Sequence, residues 1–307
     1  MQRAYLSKLM ELCERDSNVL HLVADSGTGY DEMLRRSFPD RMLNFGIAEQ
    51  HMVAAAAGLA TAGKIPFVYT AGAFLAYRAL EFVRDDICFQ NQNVKVVGMG
   101  SGLSWCSLGP THHTTEDVAV LRAIPNLMIL SPATPVQVSA CVERAYAHQG
   151  PVYLRIGMSN ETEFFEEGYE LVASGTDVFS PEGEVVIVST GSILEEVMQA
   201  ASMLRDQGVN VTILNVVCIK PFDPKPLLQA SSGAKLLVTV EEHNRIGGLG
   251  SIVSEACCDA GIGRKLLRIG LNDCFAEGYG KTQAAVRREN GLDAESIAKR
   301  IGGALHE

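Results

Sequence analysis

Short apolar runs alternate with segments of helical periodicity along this chain, and that alternation restricts the folds open to it. Five runs in the N-terminal half are apolar at successive positions, so both faces of each predicted strand are buried. Such strands, when separated by helices, form a parallel sheet covered on both sides. The predicted strands are 19–25, 65–72, 94–100, 127–134 and 151–157, and the predicted helices are 1–17, 47–62, 76–90, 115–123 and 135–148.

Around residues 158–183 this alternation is interrupted by acids, Gly, Ser and Pro, which is typical of a linker. The pattern then resumes, with predicted strands at 185–190, 209–216, 235–242 and 266–270. A length of 307 residues also exceeds one average domain. We therefore predict an α/β protein of two domains, each a mostly parallel sheet flanked by helices: residues 1–160, a linker at 161–183, and residues 184–307.

Charge and composition exclude some classes of function. The net charge of −10 argues against non-specific binding to nucleic acid, although local arginines can still bind a small anion. The eight cysteines contain no C-x-x-C pair and indicate reduced thiols. The N-terminus lacks the apolar core of a signal peptide, and no apolar run reaches the ~20 residues that span a bilayer. We expect a soluble, cytoplasmic protein without membrane contact.

One carboxylate, Glu49, stands at the head of the apolar stretch "EQHMVAAAAGLA". An acid in the first turn of a helix can simply complement the helix dipole. However, a helix that is apolar all round is predicted to be buried, and a buried carboxylate must be protonated or paired. A protonated carboxylic acid can donate a hydrogen bond to a ring nitrogen, which makes Glu49 a candidate catalytic residue.

Two further stretches carry candidate site residues. "AGAFLAYRALEFVRDD" (71–86) places Phe74 and Tyr77 one helical turn apart after a strand, where an aromatic face can stack on a flat heterocycle or can simply fill the core. "LGPTHHTTEDVAVLR" (108–122) places His112 and His113 in a loop before a helix, where packing gives no reason for paired histidines.

These motifs together resemble a known family. "FPDRMLNFGIAEQHMVAAAAGLA" (38–60), "GPTHH" (109–113) and "VEEHNRIGGLGS" (240–251) are similar to segments of transketolase and 1-deoxyxylulose-5-phosphate synthase, in the same order. The chain most resembles the C-terminal subunit of a split transketolase. The resemblance implies a pyrimidine-binding domain followed by a transketolase C-terminal domain, in an enzyme that depends on thiamine diphosphate and moves a two-carbon ketol unit.

The resemblance also implies roles for individual residues around the cofactor. Glu49 would hydrogen-bond the aminopyrimidine ring and help it to take up the proton of the thiazolium. Phe74 would stack on the pyrimidine, with Tyr77 beside it. Asp25, in "VADSG", stands where the family has an aspartate on the cofactor side.

On the substrate side, the resemblance implies that His112 faces the oxygen atoms of a sugar, with His113 adjacent. Arg155, in "YLRIG", is a candidate for a substrate phosphate, and Arg78 is a weaker one. The sequence departs from ordinary transketolase at Leu108, where the family has an aspartate that contacts the acceptor. The identity of the sugar is therefore open, and a modified sugar is an alternative to the usual sugar phosphates.

A part of the family's cofactor site is missing from this chain. Transketolases bind the cofactor's diphosphate through Mg²⁺ held by a "GDG" motif and a downstream Asn, and "GDG" does not occur here. We therefore expect no metal ligand on this chain and a separate N-terminal transketolase subunit that carries GDG…N, in an α₂β₂ assembly. Two alternatives remain: another thiamine-dependent subunit (synthase-like, or the β chain of a 2-oxo acid dehydrogenase), or a non-catalytic partner module.

Overall fold

The computed structural model describes residues 1–25, 31–158, 162–278 and 280–306, with the backbone alone at residue 31. The chain divides into two compact units. The first contains Met1–Ser101 and Val120–Leu171, and the second contains Gly102–Ala119 and Val172–Glu307. Residue 161, at the start of the predicted linker, lies outside the described residues. No helix within the described ranges is both long enough and apolar enough to cross a bilayer.

The first unit contains a parallel sheet flanked by helices. Its strands lie in the order β5-β6-β4-β3-β1-β2, and every neighbouring pair is parallel. The strands are β1 (Val19–Val23), β2 (Met42–Asn44), β3 (Ile65–Ala71), β4 (Lys95–Met99), β5 (Met128–Leu130) and β6 (Val152–Ile156). The helices are α1 (Gln2–Arg15), α2 (Asp31–Ser37), α3 (Glu49–Thr61), α4 (Leu80–Phe82), α5 (Asp117–Leu121, shared with the second unit) and α6 (Pro135–Ala147).

The second unit repeats this architecture with one antiparallel edge. Its sheet has the order β12-β11-β8-β9-β7, and only the β7–β9 pair is antiparallel. The strands are β7 (Thr176–Phe179), β8 (Val185–Ser189), β9 (Val211–Val216), β10 (Cys218–Lys220), β11 (Leu236–Asn244) and β12 (Lys265–Leu271). The helices are α7 (Leu194–Asp206), α8 (Lys225–Ser231), α9 (Leu249–Asp259), α10 (Gln283–Glu289) and α11 (Ala294–His306). The predicted α/β class with two mostly parallel sheets is therefore confirmed.

The structure differs from the predicted domain boundaries in two places. Residues 176–179, inside the predicted linker, form β7 as an edge strand of the second sheet. The strand is short and Val178 is exposed, so its sequence lacks the continuous apolar run of a central strand. Residues 102–119, inside the predicted first domain, group with the second unit.

The helix that begins at Glu49 corrects a further expectation. The alanine-rich sequence predicts burial on all sides, but α3 buries only one face, including Met52, Val53 and Ala56. Gln50, His51 and Gly58 are exposed in the described chain. A helix of small residues has no large side chain to mark its inner face, and hydropathy alone therefore overestimates its burial.

Close packing between β4 and β6 generates a stability prediction. A Cβ atom added at Gly98 would lie 2.5 Å from Tyr153 Oη and 3.0 Å from Gly72 Cα. We expect Gly98→Ala to lower the free energy of unfolding by about 1–3 kcal/mol, because a packed sheet cannot absorb the added methyl group. Gly58→Ala on α3 is the matched control: a Cβ there meets nothing within 4 Å. It should stabilise the chain by about 0.5–1 kcal/mol. Urea denaturation measures both changes, and equal effects would contradict the packing argument.

Candidate active site

Three of the predicted site residues follow the carboxyl ends of neighbouring strands. Asp25 follows β1, Glu49 begins the helix after β2, and Phe74 follows β3. Because β1 lies between β2 and β3 in a parallel sheet, these strand ends meet at one edge. This edge is where parallel α/β sheets usually bind ligands.

Glu49 is positioned by the turn between β2 and α3. Gly46 takes a positive φ of 67°, and its N–H donates to Asn44 Oδ1 over 2.9 Å. The chain then enters α3, where the Glu49 side chain is 2% exposed. The sequence prediction of a buried carboxylate is confirmed at this position.

The Glu49 carboxylate has an ionic partner that the sequence interpretation did not include. Arg78 Nη1 donates to Glu49 Oε2 over 2.8 Å, and the Arg78 side chain is 42% exposed. A neighbouring guanidinium favours the charged form of a carboxylate. In the described chain, the buried acid is therefore paired, and burial among small residues alone does not keep it protonated.

The same guanidinium covers the aromatic ring of Phe74. Arg78 Cζ lies 4.6 Å from the ring centroid, within the range of a cation–π contact. Residues Phe74–Arg78 form a π-helical turn, in which the Ala79 N–H donates to Phe74 O over 3.2 Å. The wide turn replaces the regular α-helix that the sequence predicts here. π-helical turns are frequent at functional sites.

This arrangement suits a planar nitrogen-containing ligand. A guanidinium is flat, donates N–H bonds to a carboxylate and stacks on an aromatic face. Here it makes all these contacts between Glu49 and Phe74. A flat heterocycle with a ring nitrogen and an amino group can make the same two contacts, so the residues fit an aminopyrimidine. Tyr77 lies on the same π-helical turn, and its side chain is 38% exposed.

Asp25 is tied to the neighbouring strand by an asparagine that the sequence analysis did not single out. Its N–H donates to Asn44 Oδ1 over 3.2 Å, and Asn44 Nδ2 donates to Asp25 Oδ1 over 3.4 Å. Asp25 is exposed and has a positive φ of 45°. A strained backbone of this kind is common where a side chain serves a ligand.

Arg155 lies in the middle of the first sheet. Its residue is on β6, in parallel register with Gly98 of β4, and its side chain is buried. An anion could reach this guanidinium only through a closed sheet edge. Arg78 is the more accessible of the two arginine candidates.

The two loop histidines lie in residues 102–119, which group with the second unit. His112 is half-buried, its Nδ1 lies 2.9 Å from Thr111 Oγ1, and its ring contacts Trp105 edge-on at 5.8 Å between centroids. His113 is 2% exposed, and neither of its ring nitrogens has a hydrogen-bond partner in the described chain. Burial lowers the pKa of His113 below its ordinary value, so its ring is neutral at pH 7.

This histidine segment is fixed to the end of β11. The Asn244 N–H donates to Thr115 O over 2.7 Å, and the Ala119 N–H donates to His243 Nε2 over 3.3 Å. Gly102 approaches Glu242 so closely that a Cβ atom there would lie 2.6 Å from the Glu242 side chain. The conspicuous sequence "VEEHN" therefore holds the loop in place within the second unit.

The sequence analysis singled out neither Asn44 nor Trp105. Trp105 is the chain's single tryptophan, and its place just before "GPTHH" is a signal that could have been used. Asn44 carries no such signal, because an asparagine between a strand and a glycine is typical of any turn.

Comparison with known proteins identifies related sequences and structures. Residues 1–161 match the transketolase pyrimidine binding domain, and residues 175–297 match the transketolase C-terminal domain. One of the two subunits of the apulose-4-phosphate transketolase of Actinobacillus succinogenes is 38% identical over 283 residues, covering 91% of this chain and 90% of that protein. The 6-deoxy-6-sulfo-D-fructose transketolase subunit SqwH of a Clostridium species is 32% identical over 308 residues, covering 100% and 94%.

Longer relatives and solved structures agree with this result. A 1-deoxy-D-xylulose-5-phosphate synthase of Synechococcus is 35% identical over 299 residues, which cover 95% of this chain but 45% of that protein. The structure described as a split gene transketolase, inactive beta4 tetramer, superposes with a TM-score of 0.90 at 34% identity, covering 99% of this chain and 98% of that one. Transketolase from Leishmania mexicana shares the fold, with a TM-score of 0.82 at 24% identity over 99% of this chain and 45% of that one.

The Glu49–Arg78 contact predicts a measurable coupling energy. We expect a double-mutant cycle with Glu49→Gln and Arg78→Gln to give about 1–2 kcal/mol, because one partner is buried and the other is partly solvated. The control cycle uses the exposed Glu32–Arg36 pair, at 2.9 Å, and should give less than about 0.5 kcal/mol. Chemical denaturation of the four variants of each cycle measures both energies. A coupling at Glu49 no larger than the control would contradict the contact.

The buried His113 predicts a pH dependence of stability. Its pKa is lowered in the folded chain, so below about pH 6.5 the unfolded chain binds the proton more readily. Stability should therefore fall as the pH drops below 6.5, by up to about 1.4 kcal/mol per pH unit from this group. His113→Gln should make this slope shallower between pH 5 and 6.5, whereas exposed His306→Gln should leave it. Glu242, Glu116 and His112 are the charged neighbours of His113. An unchanged slope in His113→Gln would refute the assignment.

Proposed function

Because the chain belongs to the transketolase family, we propose that it is the C-terminal subunit of a split, thiamine diphosphate-dependent transketolase. The subunit would take part in transfer of a two-carbon ketol unit from a ketose donor to an aldose acceptor. The observation that carries this proposal is the buried carboxylate of Glu49, held at the edge of a parallel sheet against a planar cation stacked on Phe74.

We assign the pyrimidine end of the cofactor to residues of the first unit. When bound, thiamine diphosphate supplies the carbanion chemistry that ketol transfer needs. Glu49 would hydrogen-bond a nitrogen of the aminopyrimidine ring and control its proton. Phe74 would stack on the ring, Tyr77 would flank it, and Asp25 would lie on the cofactor side of the strand ends.

Arg78 has to give up its position when the cofactor binds. Its guanidinium covers the Phe74 ring and bonds the Glu49 oxygen, which are the two contacts proposed for the pyrimidine. Because 42% of the side chain is exposed, the guanidinium can turn towards solvent at modest cost. We propose that it then remains near the substrate as a cation.

The substrate contacts are assigned to the histidine segment and to an arginine. His112 would act on the oxygen atoms of the sugar, with buried His113 behind it. Arg155 and Arg78 are candidates for a negatively charged group on the substrate. The relatives named for apulose-4-phosphate and 6-deoxy-6-sulfo-D-fructose carry a phosphate and a sulfonate in those names, which favours an anionic or modified sugar.

We assign the diphosphate and Mg²⁺ to a partner subunit. The sequence contains no "GDG" motif, and the relatives that cover nearly the whole chain are named as subunits or sections. The similar structure made only of beta chains is described as inactive. These names support an N-terminal transketolase subunit that carries GDG…N, in an α₂β₂ enzyme.

One specific observation supports a second chemistry. Synthases that make 1-deoxyxylulose-5-phosphate match this chain at 35% identity, nearly as well as the transketolase subunits. Such an enzyme would use pyruvate in place of a ketose donor, as would a 2-oxo acid dehydrogenase. Assays of the reconstituted complex with ketoses and with pyruvate separate these reactions, and no turnover with either class would favour a non-catalytic partner module.

The proposal predicts that Glu49 is essential in the complex of both subunits. Glu49→Gln should lower kcat by at least about 10²-fold, because the amide cannot exchange a proton with the ring. Exposed Glu81→Gln on α4 is the matched control and should retain full turnover. Size-exclusion chromatography verifies that both variants still assemble with the partner. Normal turnover by an assembled Glu49→Gln complex would overturn the proposed mechanism.

Cofactor binding tests the split arrangement directly. We expect calorimetric titration of this chain alone with thiamine diphosphate and Mg²⁺ to give no tight binding, and titration of the two subunits together to give it. Tight binding by the isolated chain would show that the diphosphate site is not on the partner.

A further inference from the structure

The second unit contains a pocket that no part of the proposed reaction uses. It has a volume of about 470 Å³ and lies where β11 and β12 end and α9 begins. We call it the arginine pocket, and its lining residues are Asn244, Arg245, Ile246, Gly247, Ser251, Arg268, Asn272 and Asp273.

Two arginines of this pocket have hydrogen-bonding capacity to spare. The Arg245 side chain forms no hydrogen bond or ion pair with the described residues, although its backbone N–H donates to Leu271 O over 3.0 Å. Arg268 Nη2 donates to Ser251 Oγ over 3.1 Å, but its Nε is buried without a partner in the described chain. A buried N–H of a cation without an acceptor is costly, which favours an acceptor brought by a ligand.

A third arginine adds to the positive charge beside the pocket. Arg300 Nη2 lies 3.5 Å from Arg268 O. Burial, and then the nearby positive charge of Arg245, lower the pKa of Arg300. Three guanidiniums therefore lie close together on a chain whose net charge is −10. Such an arrangement creates a local positive field against the overall charge.

The acids nearby do not neutralise these arginines. Glu241 is close to Arg268, but its carboxylate oxygens accept the N–H groups of Leu249 and Gly250, at 2.6 and 2.9 Å. Asp273 lines the pocket but forms no ion pair with Arg245 or Arg268 among the described contacts. The positive charge is therefore available to a ligand.

We propose that the arginine pocket binds a phosphate group carried on a small molecule. Guanidinium groups recognise phosphate through paired N–H···O bonds, and Ser251 and Asn244 offer neutral hydrogen-bonding groups beside them. The volume lies within the ~300–1,000 Å³ typical of small-molecule sites and exceeds the needs of a single phosphate ion. All the residues belong to the second unit, and the site is independent of the function proposed above.

Titration of the full-length chain with two probes tests this site. Inorganic phosphate and glycerol 3-phosphate are added at constant ionic strength, and binding is measured by calorimetry and by the shift in Tm. We expect saturable binding of both probes, with the ester tighter than the free ion. Equal or tighter binding of free phosphate would contradict a site built for an ester, and a linear, unsaturated response to both would overturn the site altogether.

Substitutions at Arg245 locate the binding. We expect Arg245→Gln to weaken the affinity for the ester at least 10-fold, and Arg245→Lys to weaken it less. Arg245 makes no side-chain bond within the described chain, so these variants should fold, which circular dichroism verifies. Exposed Arg288→Gln on α10 is the matched control and should bind like the parent chain. Unchanged affinity in Arg245→Gln, or an equal loss in Arg288→Gln, would show that phosphate binds elsewhere.

Discussion

The pairing of Glu49 with Arg78 is the contact on which the candidate site depends. A carboxylate that is 2% exposed needs a partner, and the π-helical turn after β3 delivers one by placing a guanidinium between Glu49 and Phe74. Parallel pairing of β1 with β2 and β3 brings the two segments to the same sheet edge. The fold thus produces a buried acid, an aromatic face and a movable cation from three consecutive strand ends.

Most of the fold could be predicted because buried parallel strands leave a strong signal. Each predicted strand of the first half contains an observed one, and helices α1, α3 and α6 begin within two residues of their predicted starts. The signal fails where burial is partial. β7 is a short edge strand with exposed Val178, so acids, Gly and Pro dominate its surroundings, and α10 and α11 follow a stretch without a clear apolar period.

The site was predicted in part, for a physical reason that separates residue type from geometry. Residue types are visible in the sequence, so Glu49, Phe74 and the paired histidines could be singled out. Their contacts depend on backbone detail that periodicity does not encode. A π-helical turn inserts an extra residue into a helical repeat and changes which side chain faces the acid, so Arg78 was placed only as a weak candidate for phosphate. Whether small residues exclude water or merely leave an uncovered helix face is equally invisible in a run of alanines.

Burial separates this ion pair from a second one in the same chain. In the second unit, Arg287 Nε donates to Glu242 Oε1 over 2.7 Å, with 7% and 3% of the two side chains exposed, and Ser192 Oγ donates to the same carboxylate. Breaking a pair that is buried on both sides costs about 3–5 kcal/mol, so this one is suited to hold structure. Arg78 is 42% exposed, so water can solvate its guanidinium as it leaves Glu49. A ligand that replaces it meets only a small penalty, whereas a fully buried arginine would reduce the ligand's affinity by several powers of ten. Partial exposure of one arginine therefore allows the same acid to be paired without a cofactor and available to one.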